Sequence, residues 1–442
     1  MVECSQSDAL TGVVRGTCVD ENRLSAIGAR RMEPAAQFNS CGAADQRHIC
    51  VVTETYPPEI NGVALTMSRL VCGLRARGHT VSVVRPDQHR PSSGDDSLPT
   101  LVRGLPLPGY KGLRFGLPCA RLLRRSWKRK RPDVIYVATE GPLGWSAVRI
   151  ARCLGIPIVS GFHTNYHYYS QHYRLGWLQD LIFKYLCWFH NQTERTLVPN
   201  AELGARLKSV GVANVGLLER GVDGQLFSPE RRRAELRRQW GVRDGGLAAI
   251  YVGRVAREKN LELAVDAYQA MKQFDQSLKF VIVGDGPLRG PLQRAHPDLI
   301  FLGTHTGEDL AARYASADIF IFPSITETFG NVTLEAMASG LAVTAYDYAA
   351  AAMHIEHRQS GMLVPYGNAK AFVESAVSLV REPEALHSMR RRAREHVRSF
   401  DWPRVVDKFE GLLMSVRCSG RPAPPTSMAE QELRFNREVA GT

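Results

Sequence analysis

The sequence predicts an α/β protein built from two Rossmann-like parallel-sheet domains that face each other across a cleft. Three observations carry that expectation. Short apolar runs alternate with amphipathic stretches from His48 onward, the pattern of repeated βαβ units. The 442 residues exceed what one hydrophobic core organises, and 44% apolar residues with 38 glycines suit two globular domains. Finally, the apolar run Asp318 to Pro323 leads through a turn into a helix that Gly340 ends. That stretch, Ser324-Ile-Thr-Glu-Thr-Phe-Gly-Asn-Val-Thr-Leu-Glu-Ala-Met-Ala-Ser-Gly340, puts Glu327 at the carboxyl end of a buried strand, where open α/β sheets bind ligands. Glu335 lies one helical turn after Asn331 on the same face. A carboxylate accepts two hydrogen bonds at once, so the pair suits vicinal hydroxyls better than phosphate.

Residues 1–46 show neither helical nor strand periodicity and read as a disordered or non-native extension. The first domain spans 48–225. It opens with a strand from His48 to Thr53, a helix with Ala64, Met67, Val71 and Leu74 on one face, and a strand from Thr80 to Arg85. Asn61 and Gly62 stand where the loop enters that helix, where free amides meet phosphate and a residue without Cβ allows close approach. A plain turn glycine is the alternative reading.

From Leu101 to Pro132 no acidic residue occurs. Arg121, Arg124, Arg125, Lys128 and Arg129 interleave with Leu117, Leu122, Leu123 and Trp127, which reads as a basic helix with an apolar component. It is either a surface helix packed on the core or a membrane-surface helix with Trp127 in the interface. The strand Asp133–Thr139, the helix Pro142–Leu154 and the strand Pro157–Gly161 then deliver His163 to a sheet edge. His167 and His172 follow on the same loop, yet with no interleaved carboxylate they make a poor metal set. Tyr166, Tyr168, Tyr169 and Tyr173 form either a stacking wall for a sugar or a core edge. The helix Leu175–Phe189, the strand Thr196–Pro199, the helix Ala201–Val210 and the strand Val215–Val222 complete this domain. Asp223 orients a ligand or caps a turn.

The second domain spans 226–400. Arg254 leaves the end of the strand that begins at Leu247, and Lys259 opens the next helix, so both cations are able to converge on one point. Strands from Lys279 to Gly284 and from Leu299 to Thr304 follow. Residues 401–418 read as a terminal helix and 419–442 as a flexible tail.

These spacings together resemble the retaining glycosyltransferases of family 4, which have the GT-B fold, over about residues 48–415. The Glu-x7-Glu unit, preceded by Pro323-Ser324 and followed by Ala-Met-Ala-Ser-Gly340, carries the likeness, with Gly253-Arg254-x4-Lys259 and the segment from Arg220 to Pro229. The resemblance implies that Glu327 touches the donor sugar and Glu335 holds the nucleotide's ribose. His163 would lie beside the anomeric carbon, Arg254 and Lys259 would clamp the diphosphate, and Asn61-Gly62 would close over it. Asn61 stands where the family usually has a glycine. Gly253, Gly284, Thr304, Thr328, Phe329, Gly330 and Asn331 complete the expected donor-binding set, with Gly307-Glu-Asp-Leu310 on the nucleobase side. The family often has a Gly-Gly turn after the Glu-x7-Glu unit, where this chain has Tyr346-Asp-Tyr-Ala-Ala-Ala-Ala-Met353. The terminal helix of such folds crosses back to the first domain.

The implied activity is transfer of a hexose from a nucleoside diphosphate sugar to a lipid or glycan hydroxyl, with retention, without a cofactor and without a metal. A GT-B nucleotide-sugar epimerase is the enzymatic alternative. A basic adaptor for membrane or nucleic acid is the non-enzymatic one, for which the net charge of +12 would be the whole argument. No run reaches the roughly 18 to 20 apolar residues of a membrane span. The expected location is therefore cytoplasmic, peripheral at the inner face of the membrane. Nine scattered cysteines without a Cys-x2-Cys pair speak against zinc and against a disulfide framework.

Overall fold

The computed structural model describes residues 46–59, 61–87, 99–106, 114–163 and 176–417. Nearly all of the N-terminal extension, the tail from 419, His167, His172 and the tyrosines between 166 and 173 lie outside the described residues. The first sheet begins with β1 (His48–Val52), β2 (Thr80–Pro86) and β3 (Pro99–Val102). A two-stranded antiparallel ribbon follows, β4 (Gly104–Pro106) and β5 (Arg114–Gly116). Then come β6 (Val134–Val137), β7 (Ile158–Gly161), β8 (Arg195–Val198) and β9 (Val215–Leu217). All but the ribbon pair in parallel in the order β3-β2-β1-β6-β7-β8-β9.

The second sheet contains β10 (Ala248–Val252), β11 (Lys279–Val283), β12 (Ile300–Gly303), β13 (Ile319–Phe322), β14 (Ala342–Tyr346) and β15 (Gly361–Val364). Its order is β12-β11-β10-β13-β14-β15. Central strands such as β10 and β13 are buried along their whole length, which is why their sequences are continuous apolar runs rather than alternating ones. Strand order reverses between β1 and β6 in one sheet and between β10 and β13 in the other. A crevice opens at the carboxyl ends of the strands at such a point. The segments after β10 and β13 carry Arg254 and Glu327.

The basic helix runs over Ala120–Arg129; among the described residues before it, β3, β4 and β5 occupy the acid-free stretch from Leu101, where Gly104, Pro106, Gly116 and Pro118 interrupt any helix. Of the two readings of its apolar residues, the one that places Trp127 in a membrane interface needs correction. With Leu123 one turn before it, Trp127 is buried in the core beside Val137 and Ala147, because that narrow stripe is all the helix offers the sheet. Strand ends also differ, most at β9, which stops at Leu217 instead of running on to Val222.

The helix Trp402–Met414 belongs to the core of the first lobe. Trp402, Val405, Val406, Phe409 and Leu413 pack among Ile49, Met67, Val71 and Tyr136. Its Val406 approaches the helix Gly62–Ala76 so closely that a Cβ at Gly73 would lie 2.5 Å from a valine methyl. His79 and Arg77 of the first lobe pair with Glu410 at 2.9 and 3.1 Å. The connection between the sheets is anchored by Arg394, which donates to the carbonyls of Gly224, Phe227 and Ala338 at 2.9 to 3.0 Å.

Candidate active site

The loop after β13 is the centre of the candidate site. Ser324 donates to Glu327 Oε1 at 2.8 Å, and Lys259 Nζ donates to the same oxygen at 2.5 Å and to the Thr326 carbonyl at 3.2 Å. Both charged side chains keep some access to water, 18% for Lys259 and 16% for Glu327. Gly330 has φ 94°, a left-handed conformation that a residue without Cβ enters freely, and it starts the helix Asn331–Ala338. Glu335 on that helix is buried and accepts from the Tyr314 hydroxyl at 3.1 Å. Burial pushes its carboxyl up to about 7, and the Tyr314 bond offsets only part of that.

Arg254 is more exposed and pairs with Glu258 at 3.3 Å, while the Tyr251 hydroxyl donates to its carbonyl at 2.9 Å. Arg254 and Lys259 thus each hold a carboxylate of their own. Gly253 and Gly284 have a packing reason for being glycine: a Cβ at Gly284 would lie 1.9 Å from the Gly253 carbonyl oxygen. Phe329 is buried with its ring 6.0 Å from His354, and Thr304 is exposed.

On the facing lobe, His163 follows β7. Arg220 donates to its Nδ1 at 2.5 Å, and its Nε2 lies 2.9 Å from the Tyr136 hydroxyl. A guanidinium only donates, so Nδ1 accepts and the ring proton sits on Nε2, facing Tyr136. Burial, then Arg220, then His190 hold the imidazole well below its ordinary range, so it is neutral. Burial also brings Arg220 down to about 10. Gly161 makes room for this contact, since a Cβ there would lie 2.0 Å from the Tyr136 oxygen.

The two lobes meet at these residues. Thr328 donates to the His163 carbonyl at 3.3 Å. A Cβ at Gly62 would be 3.6 Å from Asn331 Nδ2, so two helix starts face one another. Asn61 caps its helix by accepting from the Ala64 amide at 2.8 Å and donates to Thr55 at 2.6 Å. Asp223 is held by Arg69 at 2.8 Å and accepts from the Leu226 amide at 2.9 Å, a turn cap.

Tyr136, Arg220 and Tyr314 were not foreseen as site residues. Tyr136 sits in an apolar strand and reads as core, whereas Arg220 opens a segment already singled out and its charge was the available signal. Chemically, opposed helix amides beside a lysine suit an anion such as a diphosphate, and Glu327 and Glu335 suit paired hydroxyls.

The chain is similar to known proteins over most of its length. Residues 60–226 match the family described as Glycosyltransferase Family 4, and residues 247–382 match Glycosyl transferases group 1. A GDP-mannose-dependent alpha-mannosyltransferase of Mycobacterium tuberculosis is 32% identical over 377 residues, covering 84% of this chain and 97% of that protein. An alpha-monoglucosyldiacylglycerol synthase of Streptococcus pneumoniae is 28% identical over 311 residues, covering 67% of this chain and 70% of that protein. Among solved structures, a sucrose-phosphate synthase from Thermosynechococcus elongatus superposes with a TM-score of 0.69 at 20% identity, over 83% of this chain and 98% of that one. The fold is GT-B.

Proposed function

The chain belongs to glycosyltransferase family 4 and is a hexosyltransferase, and we propose that it moves mannose from GDP-mannose to a lipid or glycan hydroxyl, with retention and without a metal. The observation that carries this reading is the convergence of Glu327, Lys259 and the helix start at Gly330 on the helix start at Gly62 and on His163. The mannosyl donor is supported by the Mycobacterium tuberculosis relative.

In the proposed reaction Glu327 binds hydroxyls of the sugar and Glu335 those of the ribose. Arg254, Lys259 and the amides at Gly62 and Gly330 stabilise the charge that develops on the leaving diphosphate. The bond from the anomeric carbon to the phosphate oxygen breaks as the acceptor oxygen bonds to that carbon on the same face. The acceptor's proton passes to the departing phosphate oxygen. His163 keeps its proton on Nε2 toward Tyr136 and holds the wall of the site.

The acceptor side favours a lipid surface. Arg121, Arg124, Arg125, Lys128 and Arg129 are all exposed on one short helix with Leu122, while its Trp127 is withdrawn into the core. Each cation near an anionic surface contributes about 1 kcal/mol. No helix among the described residues is long and apolar enough to cross a membrane. The pneumococcal relative is named for a diacylglycerol product.

Three measurements test the reading. Thermal shift with GDP-mannose, UDP-glucose and ADP-glucose should single out GDP-mannose, followed by turnover that survives EDTA. A preference for another nucleotide, or loss of turnover in EDTA, overturns the corresponding part. Co-sedimentation with anionic vesicles should weaken with salt and in a variant carrying Gln at the five basic positions. Equal sedimentation with neutral vesicles removes the lipid-surface reading.

A further inference from the structure

Glu327 sits on an irregular loop whose carbonyls have no strand to pair with, so each must find a donor elsewhere. Tyr366 donates to the carbonyl of Ile325 at 2.8 Å, Lys259 to that of Thr326 at 3.2 Å, and Tyr348 to that of Glu327 at 2.6 Å. The amide of Ala350 then takes the carbonyl of Phe329 at 2.8 Å. The Tyr348 and Tyr366 rings meet edge to face at 5.4 Å, and Tyr346 backs Tyr366 at 5.7 Å. Tyr348 and Ala350 come from the segment that replaces the usual glycine turn. Its Ala349 takes φ 53°, a left-handed conformation that an L side chain adopts only when its surroundings hold it there.

We infer that Tyr348, assisted by Tyr366, is a positioning residue that fixes the carboxylate of Glu327 against the donor sugar and so sets discrimination between epimeric hexoses. The inference rests on the reading that Glu327 faces the sugar. Tyr348 grips the backbone of the very residue whose side chain is to be aimed, while Lys259 and Ser324 grip the carboxylate itself. A residue held at its backbone carbonyl and at one carboxylate oxygen presents the other oxygen to a hydroxyl in one orientation. An epimer that moves the hydroxyl then leaves a polar group unpaired, the largest source of discrimination a sugar site has. A glycine turn has no side chain with which to make this contact.

The test uses the full chain and the variants Tyr348→Phe, Tyr366→Phe and Glu327→Gln, assayed with GDP-mannose against GDP-glucose and with UDP-glucose against UDP-galactose. Tyr348→Phe should lower kcat for the preferred donor about 3- to 10-fold and narrow the kcat/KM ratio within its epimer pair by a similar factor. The Kd for free GDP or UDP should stay at the parent value. Tyr366→Phe should act in the same direction and less, because its carbonyl is two residues away. An unchanged epimer ratio in Tyr348→Phe, or a parallel loss of free-nucleotide binding, overturns the inference. Glu327→Gln separates the two levels. If that variant keeps turnover and ratio, the sugar-facing reading itself fails; if it loses both while Tyr348→Phe keeps them, only the positioning role fails.

Discussion

The strand β13 carries a carboxylate at each end, and the two are treated oppositely. At its entry Asp318 is almost fully buried and is held by Arg232, Arg237 and Arg390 at 2.8 to 2.9 Å, with the Ala248 amide as a further donor at 2.9 Å. Past its exit Glu327 has one lysine and one serine and stays partly open to water. Asp318 has no hydrogen-bonding capacity left for a ligand. Glu327 does, which is the difference between a carboxylate wholly used in holding the fold together and one with an oxygen left to meet a ligand.

The comparison is broken most forcefully at the buried end. Asp318→Asn leaves three guanidiniums without their counter-charge, and unfolding by urea should show a loss of about 3–5 kcal/mol. Burial alone would raise this carboxyl, but Arg232, Arg390 and Arg237 outweigh it and hold it below its ordinary range. The stability it contributes is therefore present above pH about 3.8 and lost as the pH falls through the lower folded value. The variant should show a flatter acid limb.

At the open end the loss should be functional. Glu327→Gln and Lys259→Ala should each lower turnover about 10²- to 10³-fold, with unfolding midpoints moved by no more than a few degrees. Collapse of the fold in either would erase the contrast between the two ends.

Glu335 offers a smaller, pH-dependent sharpening. Its folded carboxyl titrates near 7 against an ordinary 4.5, so the free chain loses stability as pH rises between those values. On the proposed reading, ribose hydroxyls would donate to the ionised form. Binding of GDP should therefore tighten from pH 6 to pH 8, by about tenfold at most, and Glu335→Gln should abolish the dependence. A flat wild-type profile would mean that the nucleotide does not use this carboxylate. The smallest effect is expected at Ala349, where Ala349→Gly should stabilise the chain by about 1 kcal/mol, read from its melting temperature.

The parts of this arrangement legible in the sequence are those fixed by short spacing. Strands and helices alternate visibly, and Glu327, Glu335, Arg254 and Lys259 lie within recognisable intervals of strand ends. Contacts made across long separations were not legible. Arg220 meets His163 from 57 residues away, and Tyr348 reaches Glu327 from 21 residues away through a loop whose path no periodicity specifies. Trp127 illustrates the same limit: a period marks an apolar stripe but does not say whether protein or membrane lies against it. The ribbon of β4 and β5 was missed because its strands have three residues each, too few to display alternation.

The helix Trp402–Met414 has a consequence for how the protein is made. A ribosome delivers the first lobe's strands before the second lobe, but that lobe's core lacks Trp402, Val406, Phe409 and Leu413 until the second lobe has been translated. Phe409 packs at 4.9 Å edge-to-face against Tyr136, whose hydroxyl meets His163. The first lobe therefore waits, incomplete and with apolar surface uncovered, while the second is synthesised, a period in which chaperone contact is most needed. The half of the candidate site that the first lobe supplies is completed after the other, although it is encoded before it.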